Sequence, residues 1–138
     1  MRIHKLEKFR PLVWMGALLA VAAIGCSGNQ DGAPDLVKVT GVVTSQGKPV
    51  NNVQVLFEPQ AEAGASRGKT DEDGKFELYY TLDQAGATPG KHRVQFRLQD
   101  EEADPNIVPK KLTIGAEGIP VDVTPEGPNE FQFDLAEK

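Results

Sequence analysis

Residues 93–98 read Arg-Val-Gln-Phe-Arg-Leu, and this alternation of apolar and polar side chains decides the fold. Val94, Phe96 and Leu98 fall on one side of an extended chain, a period of two residues that is typical of a β-strand with one buried face. We therefore expect the segment to be a central strand. Its polar side chains, which we expect to face solvent, are Arg93, Gln95 and Arg97.

Similar short runs lie on both sides of this segment. The further predicted strands are residues 36–44, 53–57, 66–70, 75–80, 111–114, 120–124 and 131–135. Asp71-Glu72-Asp73-Gly74 is a turn sequence that predicts a hairpin between the strands on either side of it. Residues 100–109 are acidic and contain two prolines, which predicts a surface excursion. The fold class that follows is all-β: an antiparallel Greek-key sandwich of seven or eight strands.

The inward positions of these strands give the predicted core. They are Val39, Val53, Val55, Phe57, Phe76, Leu78, Tyr80, Val94, Phe96, Leu98, Val121, Val123, Phe131, Phe133 and Leu135. Each fully covered phenylalanine contributes roughly 1.5 to 3 kcal/mol. A domain of about 100 residues needs this contribution, because its surface is large relative to its volume.

The first 26 residues have a different character from the rest. A basic start precedes an apolar run from Leu12 to Ile24, and the only cysteine of the chain, Cys26, follows at once. This order is typical of a secretory signal. The apolar run is shorter than the roughly 20 residues of a transmembrane helix, which makes an uncleaved anchor the weaker alternative. Ordinary signal cleavage, near residues 20–22 or just beyond the cysteine, would instead release a soluble protein.

The end of this segment, Ala23-Ile24-Gly25-Cys26, resembles a bacterial lipobox. The resemblance implies that the Cys26 thiol receives a diacylglyceryl group, that the signal is removed before it, and that the new amino terminus is acylated. Two acyl chains give a stable membrane attachment. Ser27 is similar to the pattern that directs lipoproteins to the outer membrane. We therefore expect a signal peptide at residues 1–25, a lipidated flexible tether at 26–35 and a folded domain at 36–138.

Loss of the signal makes the remaining chain more acidic. The whole chain has 15 basic and 20 acidic side chains. Residues 26–138 retain 11 basic and 19 acidic side chains, so their net side-chain charge is −8. Such a charge repels phosphate backbones and anionic lipid, so nucleic acid is not an expected partner. The expected partners are the membrane, through the lipid on Cys26, and a protein or polysaccharide of the cell envelope.

Most of the folded part also resembles a known domain family. The segments that carry the resemblance are residues 39–44, 47–50, 53–57, 70–76, 89–94 and 129–135. They are similar to the carboxypeptidase regulatory-like domains, which are transthyretin-like (prealbumin-like) sandwiches often found on bacterial surface lipoproteins. The resemblance implies an accessory or adhesive module with no catalytic residues, no metal and no cofactor.

Two features could suggest metal chemistry. Asp71 and Asp73 precede a glycine, as carboxylates do in calcium loops, but Lys75 occupies the position of the third oxygen ligand. We therefore interpret this segment as a hairpin turn and leave weak calcium binding open. His92 is the only histidine after the signal, and a zinc site needs further nitrogen or sulfur ligands. We expect His92 to lie at the rim of the core.

Three residues are candidates for ligand contact. Tyr79 is expected on the solvent side of its strand, where an aromatic ring can stack on a sugar or anchor a partner. Arg93 and Arg97 are expected on the outer face of the central strand. The favoured function is a lipid-anchored, non-catalytic envelope module that presents a surface to a protein or polysaccharide. The alternatives are a glycan- or solute-binding lipoprotein and, less favoured, a metal-dependent hydrolase.

Overall fold

The computed structural model describes residues 34–136, which consist almost entirely of strands and turns. The strands are β1 (Val39–Ser45), β2 (Lys48–Pro49), β3 (Val53–Pro59), β4 (Ser66–Lys69), β5 (Lys75–Glu77), β6 (Tyr79–Thr81), β7 (Gln84–Ala85), β8 (Gly90–Leu98), β9 (Ile119–Val123) and β10 (Asn129–Asp134). Two single-turn 3-10 helices, Pro105–Ile107 and Lys110–Leu112, lie between β8 and β9. The prediction of an all-β fold is confirmed.

The strands form two sheets. The larger sheet has six strands in the order β7-β6-β4-β3-β8-β9, and all of its pairs are antiparallel. The smaller sheet has the order β10-β1-β2, and β5 also pairs with β1. Within it β1 and β10 run parallel, whereas the sequence predicted antiparallel strands throughout. The described part of the chain has ten strands rather than seven or eight, because the predicted strand at 75–80 is divided into β5 and β6 and because two unpredicted strands of two residues each, β2 and β7, are present.

Both sheets contribute to one apolar core. Phe57 of the larger sheet contacts Phe131 and Phe133 of the smaller sheet, with ring centroids 5.5 and 6.3 Å apart. Most predicted core positions are buried, but four are only partly buried: Tyr80, Leu98, Val121 and Phe131. The structure adds buried residues that the sequence did not predict: Val43, Val50, Leu56, Ala87, Val108 and Leu112.

The aromatic packing depends on a glycine in β1. Gly41 pairs with Phe131 on one side and with Phe76 on the other. A Cβ atom at this position would lie 2.5 Å from the carbonyl oxygen of Phe131 and 2.6 Å from the ring of Phe76. The missing side chain therefore provides the space that the Phe76 ring occupies.

The predicted hairpin around residues 71–74 is wrong in one respect. The chain after the turn changes sheets at Leu78, so β5 pairs with β1 and β6 pairs with β4. Leu78 is fully buried at the crossing, and its N–H donates to the carbonyl oxygen of Val39 at 3.0 Å. The segment predicted as one strand therefore connects the two sheets at one edge.

The predicted strand at residues 111–114 is also wrong, because a 3-10 helix and a loop occupy this position. The loop lies over the outer face of β8 and covers Gln95, which is 1% exposed although its position predicted a solvent-facing side chain. Its Nε2 donates to the carbonyl oxygen of Ala116. The segment before this loop, residues 100–109, also packs against the domain, since its Val108 is buried.

The sandwich has two distinct ends. Residues 36–38 lie at the end that also holds the turns at 60–65, 82–83, 86–89 and 124–128, and we call it the entry end. There, Val37 and Ala87 exchange two backbone hydrogen bonds of 3.0 Å. The opposite end, called the far end, holds the turns at 46–47 and 71–74 and the last described residue, Ala136. This assignment follows from the strand directions.

Candidate functional site

The outer face of the six-stranded sheet, the surface that points away from the core, carries two rows of side chains from neighbouring strands. In one row Tyr79 lies opposite Arg67, which lies opposite Leu56. In the next row Lys69 lies opposite Gln54, which lies opposite Arg97. Directly opposed residues have Cβ atoms about 4.5 to 5.5 Å apart, so the side chains of each row are neighbours. We call these two rows the cationic face.

Tyr79 lies at one border of the cationic face. It is 43% exposed, and Leu82 in the next turn is 98% exposed; they are the only large hydrophobic residues that are exposed within residues 34–136. Tyr79, Leu82 and Gln99 also border one concave surface together with Arg67 and Lys69, and its opposite side is lined by the charged residues Asp71, Lys75, Glu77 and Glu130. The prediction of a solvent-facing Tyr79 therefore agrees with its position, and the structure adds two cations next to it.

The two arginines predicted from β8 have different surroundings. Arg93 forms an ion pair with Glu58 of β3, and its Nε donates to Oε2 of that carboxylate at 3.2 Å. Arg97 forms no ion pair within the described residues, although it borders a small hollow with Asp100 and Glu101. The guanidinium of Arg97 is therefore available to an outside partner, and that of Arg93 is already engaged.

Arg67 and Lys69 were missed in the sequence interpretation. Both lie in β4, where Ser66 and Gly68 face the core and the two cations face solvent. The alternation in residues 66–69 contained this information. This alternation is hard to recognise in the sequence, because the inward residues are small and are not the large apolar residues that mark the buried face of a strand. With these two residues, the candidate site extends from Tyr79 on β6 and the arginines of β8 to a surface that also includes β4 and β3.

The strands of the outer face carry net positive charge, whereas the loop of residues 99–118, which lies over part of β8, has five carboxylates and two lysines. The strands present five cations and two carboxylates to solvent: Arg67, Lys69, Lys91, Arg93 and Arg97 against Glu58 and Asp122. Residues 34–136 contain only two ion pairs, Arg93–Glu58 and Lys38–Glu77. Four cations of this face are therefore unpaired within the described residues, and they lie on a chain of net negative charge.

The carboxylate of Asp71 forms its hydrogen bonds within the 71–74 turn. Oδ1 of Asp71 accepts from the backbone N–H groups of Asp73 and Lys75, both at 2.9 Å. The N–H of Gly74, which has φ of 73°, donates to the carbonyl oxygen of Asp71 at 2.9 Å. The turn itself therefore forms as expected, although the strands on either side of it, β4 and β5, lie in different sheets, and it leaves this carboxylate oxygen engaged with the backbone.

His92 faces the core as expected but is more deeply buried than a rim position, with 1% of its surface exposed. Its Nδ1 lies 3.0 Å from the carbonyl oxygen of Gly90, and its ring packs on Phe57 at 5.9 Å. Within residues 34–136 no group of three or more histidine, cysteine, aspartate or glutamate side chains could hold a metal ion. The contacts of His92 are those of a packed core residue.

Two further points concern the predicted attachment to a membrane. Cys26 lies outside the described residues, so its predicted lipidation and the predicted segments at 1–25 and 26–35 remain predictions. In the described part of the chain, no helix is long and apolar enough to span a bilayer.

Comparison with known proteins gives no assignment. No protein family matches the chain, and no curated protein or solved structure is significantly similar to it.

Proposed function

We propose that the chain is a lipid-anchored, non-catalytic module of the cell envelope that contacts a protein or polysaccharide through its cationic face. The finer fold that we propose is a Greek-key, transthyretin-like sandwich of the carboxypeptidase regulatory-like type. The proposed anchor is the lipid on Cys26, and the proposed location is the outer membrane.

The proposal of a contact surface rests mainly on one observation. Arg67, Lys69 and Arg97 have no ion-pair partner in the described chain. Arg67 lies directly opposite the exposed Tyr79, Lys69 lies two residues further along β4, and Arg97 lies on the far side of β3. Folding gains nothing from placing unpaired like charges on one face, since neighbouring like charges repel each other. An outside partner that supplies negative charge would remove this repulsion. The aromatic ring and the arginines are also residue types that dominate binding energy at interfaces.

The anchor is supported by the order of segments along the chain. A basic start, an apolar run and a cysteine follow one another before the described part of the chain. Pro34, the first described residue, lies only eight positions after Cys26. Eight residues span at most about 28 Å. A lipid on Cys26 would therefore hold the domain close to the bilayer surface.

The contact surface can be tested by photo-crosslinking in intact cells. A photoreactive amino acid replaces Tyr79 in the full chain, and a matched variant carries it at Lys48, an exposed position in β2 of the other sheet. We expect a discrete crosslinked product from position 79 and none from position 48. Equal labelling from the two positions, or none from either, would refute the proposed surface.

The anchor has a separate test. Mass spectrometry of the protein isolated from membranes is expected to show an amino-terminal Cys26 that carries a diacylglyceryl group and an amide-linked acyl chain. The Cys26→Ser variant is expected in the soluble fraction. An unmodified thiol on the isolated protein would contradict the anchor without affecting the contact surface.

A further inference from the structure

We propose that the partner of the cationic face is an acidic polysaccharide, whose sugar carboxylates are bound by Arg67, Lys69 and Arg97 and whose rings stack on Tyr79. This inference rests on the contact surface of the proposed function and names the chemical class of the partner. It does not depend on lipidation of Cys26.

The spacing of the cations favours a polymer over a single anion. Arg67 and Lys69 lie two residues apart on the same face of β4, a separation of about 7 Å. Lys69 and Arg97 lie in one row two strands apart, about 10 Å. One carboxylate cannot bridge these distances, whereas a chain with regularly repeated carboxylates meets several cations at once. Arginine adds the bidentate geometry that suits a carboxylate.

The uncharged groups of the same face suit sugar hydroxyls. Gln54 and Gln99 lie among the cations, and their side chains are joined by a hydrogen bond of 3.5 Å. This bond uses one N–H of Gln99, so the amide group of Gln54 keeps two free donors. Tyr79 provides an apolar ring with a polar hydroxyl, a combination that stacks on a sugar and also donates or accepts a hydrogen bond.

The same surface is poorly suited to a protein partner. Protein interfaces have an apolar centre surrounded by a polar rim. Here the centre of the face is Leu56, which is 8% exposed and therefore offers almost no apolar area. The exposed apolar groups, Tyr79 and Leu82, lie at its border rather than its centre. Cations, amides and one peripheral aromatic ring are the groups that bind a hydrated, negatively charged polymer.

The experiment measures binding of the full chain, in nonionic detergent, to three polymers. Polygalacturonate has sugar carboxylates, dextran has sugars without charge, and polyglutamate has carboxylates without sugars. We expect saturable binding to polygalacturonate that weakens as salt is raised, and no binding to dextran. Binding of polyglutamate as tight as that of polygalacturonate would refute a polysaccharide and would indicate an acidic peptide partner.

Variants with the same change in net charge distinguish binding by the cationic face from a general effect of charge. The Arg67→Gln/Lys69→Gln double variant is expected to bind polygalacturonate at least about tenfold more weakly, and Tyr79→Ala about fivefold more weakly. The Lys38→Gln/Lys48→Gln double variant changes the net charge equally at two exposed positions outside the face, just before β1 and in β2, and it should bind like the wild type. Thermal melts of all variants confirm that each is folded. Equal weakening in both double variants would refute the assignment to this face.

This outcome is distinguishable from failure of the proposed function. A crosslink from position 79 combined with no binding of polygalacturonate would refute the acidic polysaccharide while the contact surface stands. Absence of both would refute the contact surface itself.

Discussion

Gly41 shows how one residue controls the packing between the sheets. Its neighbours across the strand pairs are both phenylalanines, and the ring of Phe76 fills the space above its Cα atom. One of the atoms that a side chain would meet is a backbone oxygen, which cannot rotate away. The position therefore excludes any larger residue for steric reasons, although the backbone dihedral angles are ordinary.

We expect the Gly41→Ala substitution to destabilise the domain by about 1 to 3 kcal/mol, because an added methyl group displaces the Phe76 ring and strains the β1–β10 pairing. Urea unfolding followed by circular dichroism measures the change. A variant as stable as the wild type would mean that the ring has another place to pack.

Asp134 fixes the turn that connects β1 and β2. Its carboxylate accepts from the backbone N–H groups of Gln46 and Gly47, both at 3.1 Å, and from that of Ala136 at 2.9 Å. Gln46 and Gly47 have positive φ angles of 53° and 76°. The hydrogen bond from Ala136 is the main cause that lowers the pKa of Asp134, and those from Gly47 and Gln46 add to it.

A lowered pKa gives the sign of a pH effect. The carboxylate stabilises the folded state fully above its unfolded pKa of about 3.9, and this stabilisation disappears as the pH falls through the lower folded value. We therefore expect Asp134→Asn to lower the midpoint of urea unfolding at about pH 6 and to have a much smaller effect at about pH 2.5. Asp122→Asn, which removes an exposed charge on β9, is the control. A deficit of equal size at both pH values would contradict the role of the carboxylate charge.

Single residues also show which inferences the sequence allowed. The alternation placed Tyr79 outside and His92 inside, and both positions agree with the structure. The alternation also placed Gln95 on the outer face, but the expectation that its side chain is exposed to solvent was wrong. Strand parity states which face of a sheet a side chain points to, but not whether a distant loop covers that face. The loop over Gln95 comes from residues about twenty positions later, and nothing local to β8 indicates it.

Strand β8 is an interior strand of the larger sheet, because it is paired on both sides, with β3 and β9. Its Phe96 is fully buried, and its ring packs edge-on against Phe133 of the other sheet at 5.4 Å. The sequence predicted a central strand, and the structure places β8 in the interior of the sheet, one strand from its edge at β9.

We expect Phe96→Ala to cost about 3 to 5 kcal/mol, through lost apolar burial and the cavity that remains. Tyr79→Ala, on the outer face, is the matched loss of an aromatic residue and should cost much less. Thermal melts of the two variants give the comparison. A Phe96 variant that melts close to the wild type would show that the core closes around the lost ring.

The change of sheet at Leu78 is an element-level feature that the sequence did not reveal. Residues 75–80 alternate without interruption, so the pattern predicted one strand. The pairing partners of the two halves, β1 and β4, are decided by contacts with residues more than ten positions away. Short alternating runs specify which face is buried but not which sheet the strand joins.

The turn between β4 and β5 provides a test of the calcium alternative. Asp71 already accepts two backbone hydrogen bonds, so a cation would have to compete with them for its Oδ1 atom. We expect the melting temperature to change by less than about 1 °C between excess calcium and excess chelator. A clear increase with calcium, lost in Asp71→Asn, would restore the metal interpretation.

For the molecule as a whole, charge is separated rather than mixed. The chain has a sequence pI near 5.0, yet the outer face of the larger sheet has five cations and two carboxylates. Such a field can bind an anionic surface despite a negative net charge, and salt screens it within about 10 Å.

We therefore expect the full chain in nonionic detergent to be retained weakly on a sulfonate cation exchanger at neutral pH and low salt. The Arg67→Gln/Lys69→Gln double variant should elute earlier, and the Lys38→Gln/Lys48→Gln double variant should elute close to the wild type. If the wild type passes through without any retention, the charges of the face do not act together.

The opposite positions of the entry end and the far end determine how the domain meets its surroundings. The strands run from one end to the other, so the cationic face is a flank of the molecule. A linear polymer bound across these strands therefore needs no contact with the turns at either end. Several copies of the domain could bind side by side along one polymer chain, each through the same flank, and leave both of their ends free for other contacts.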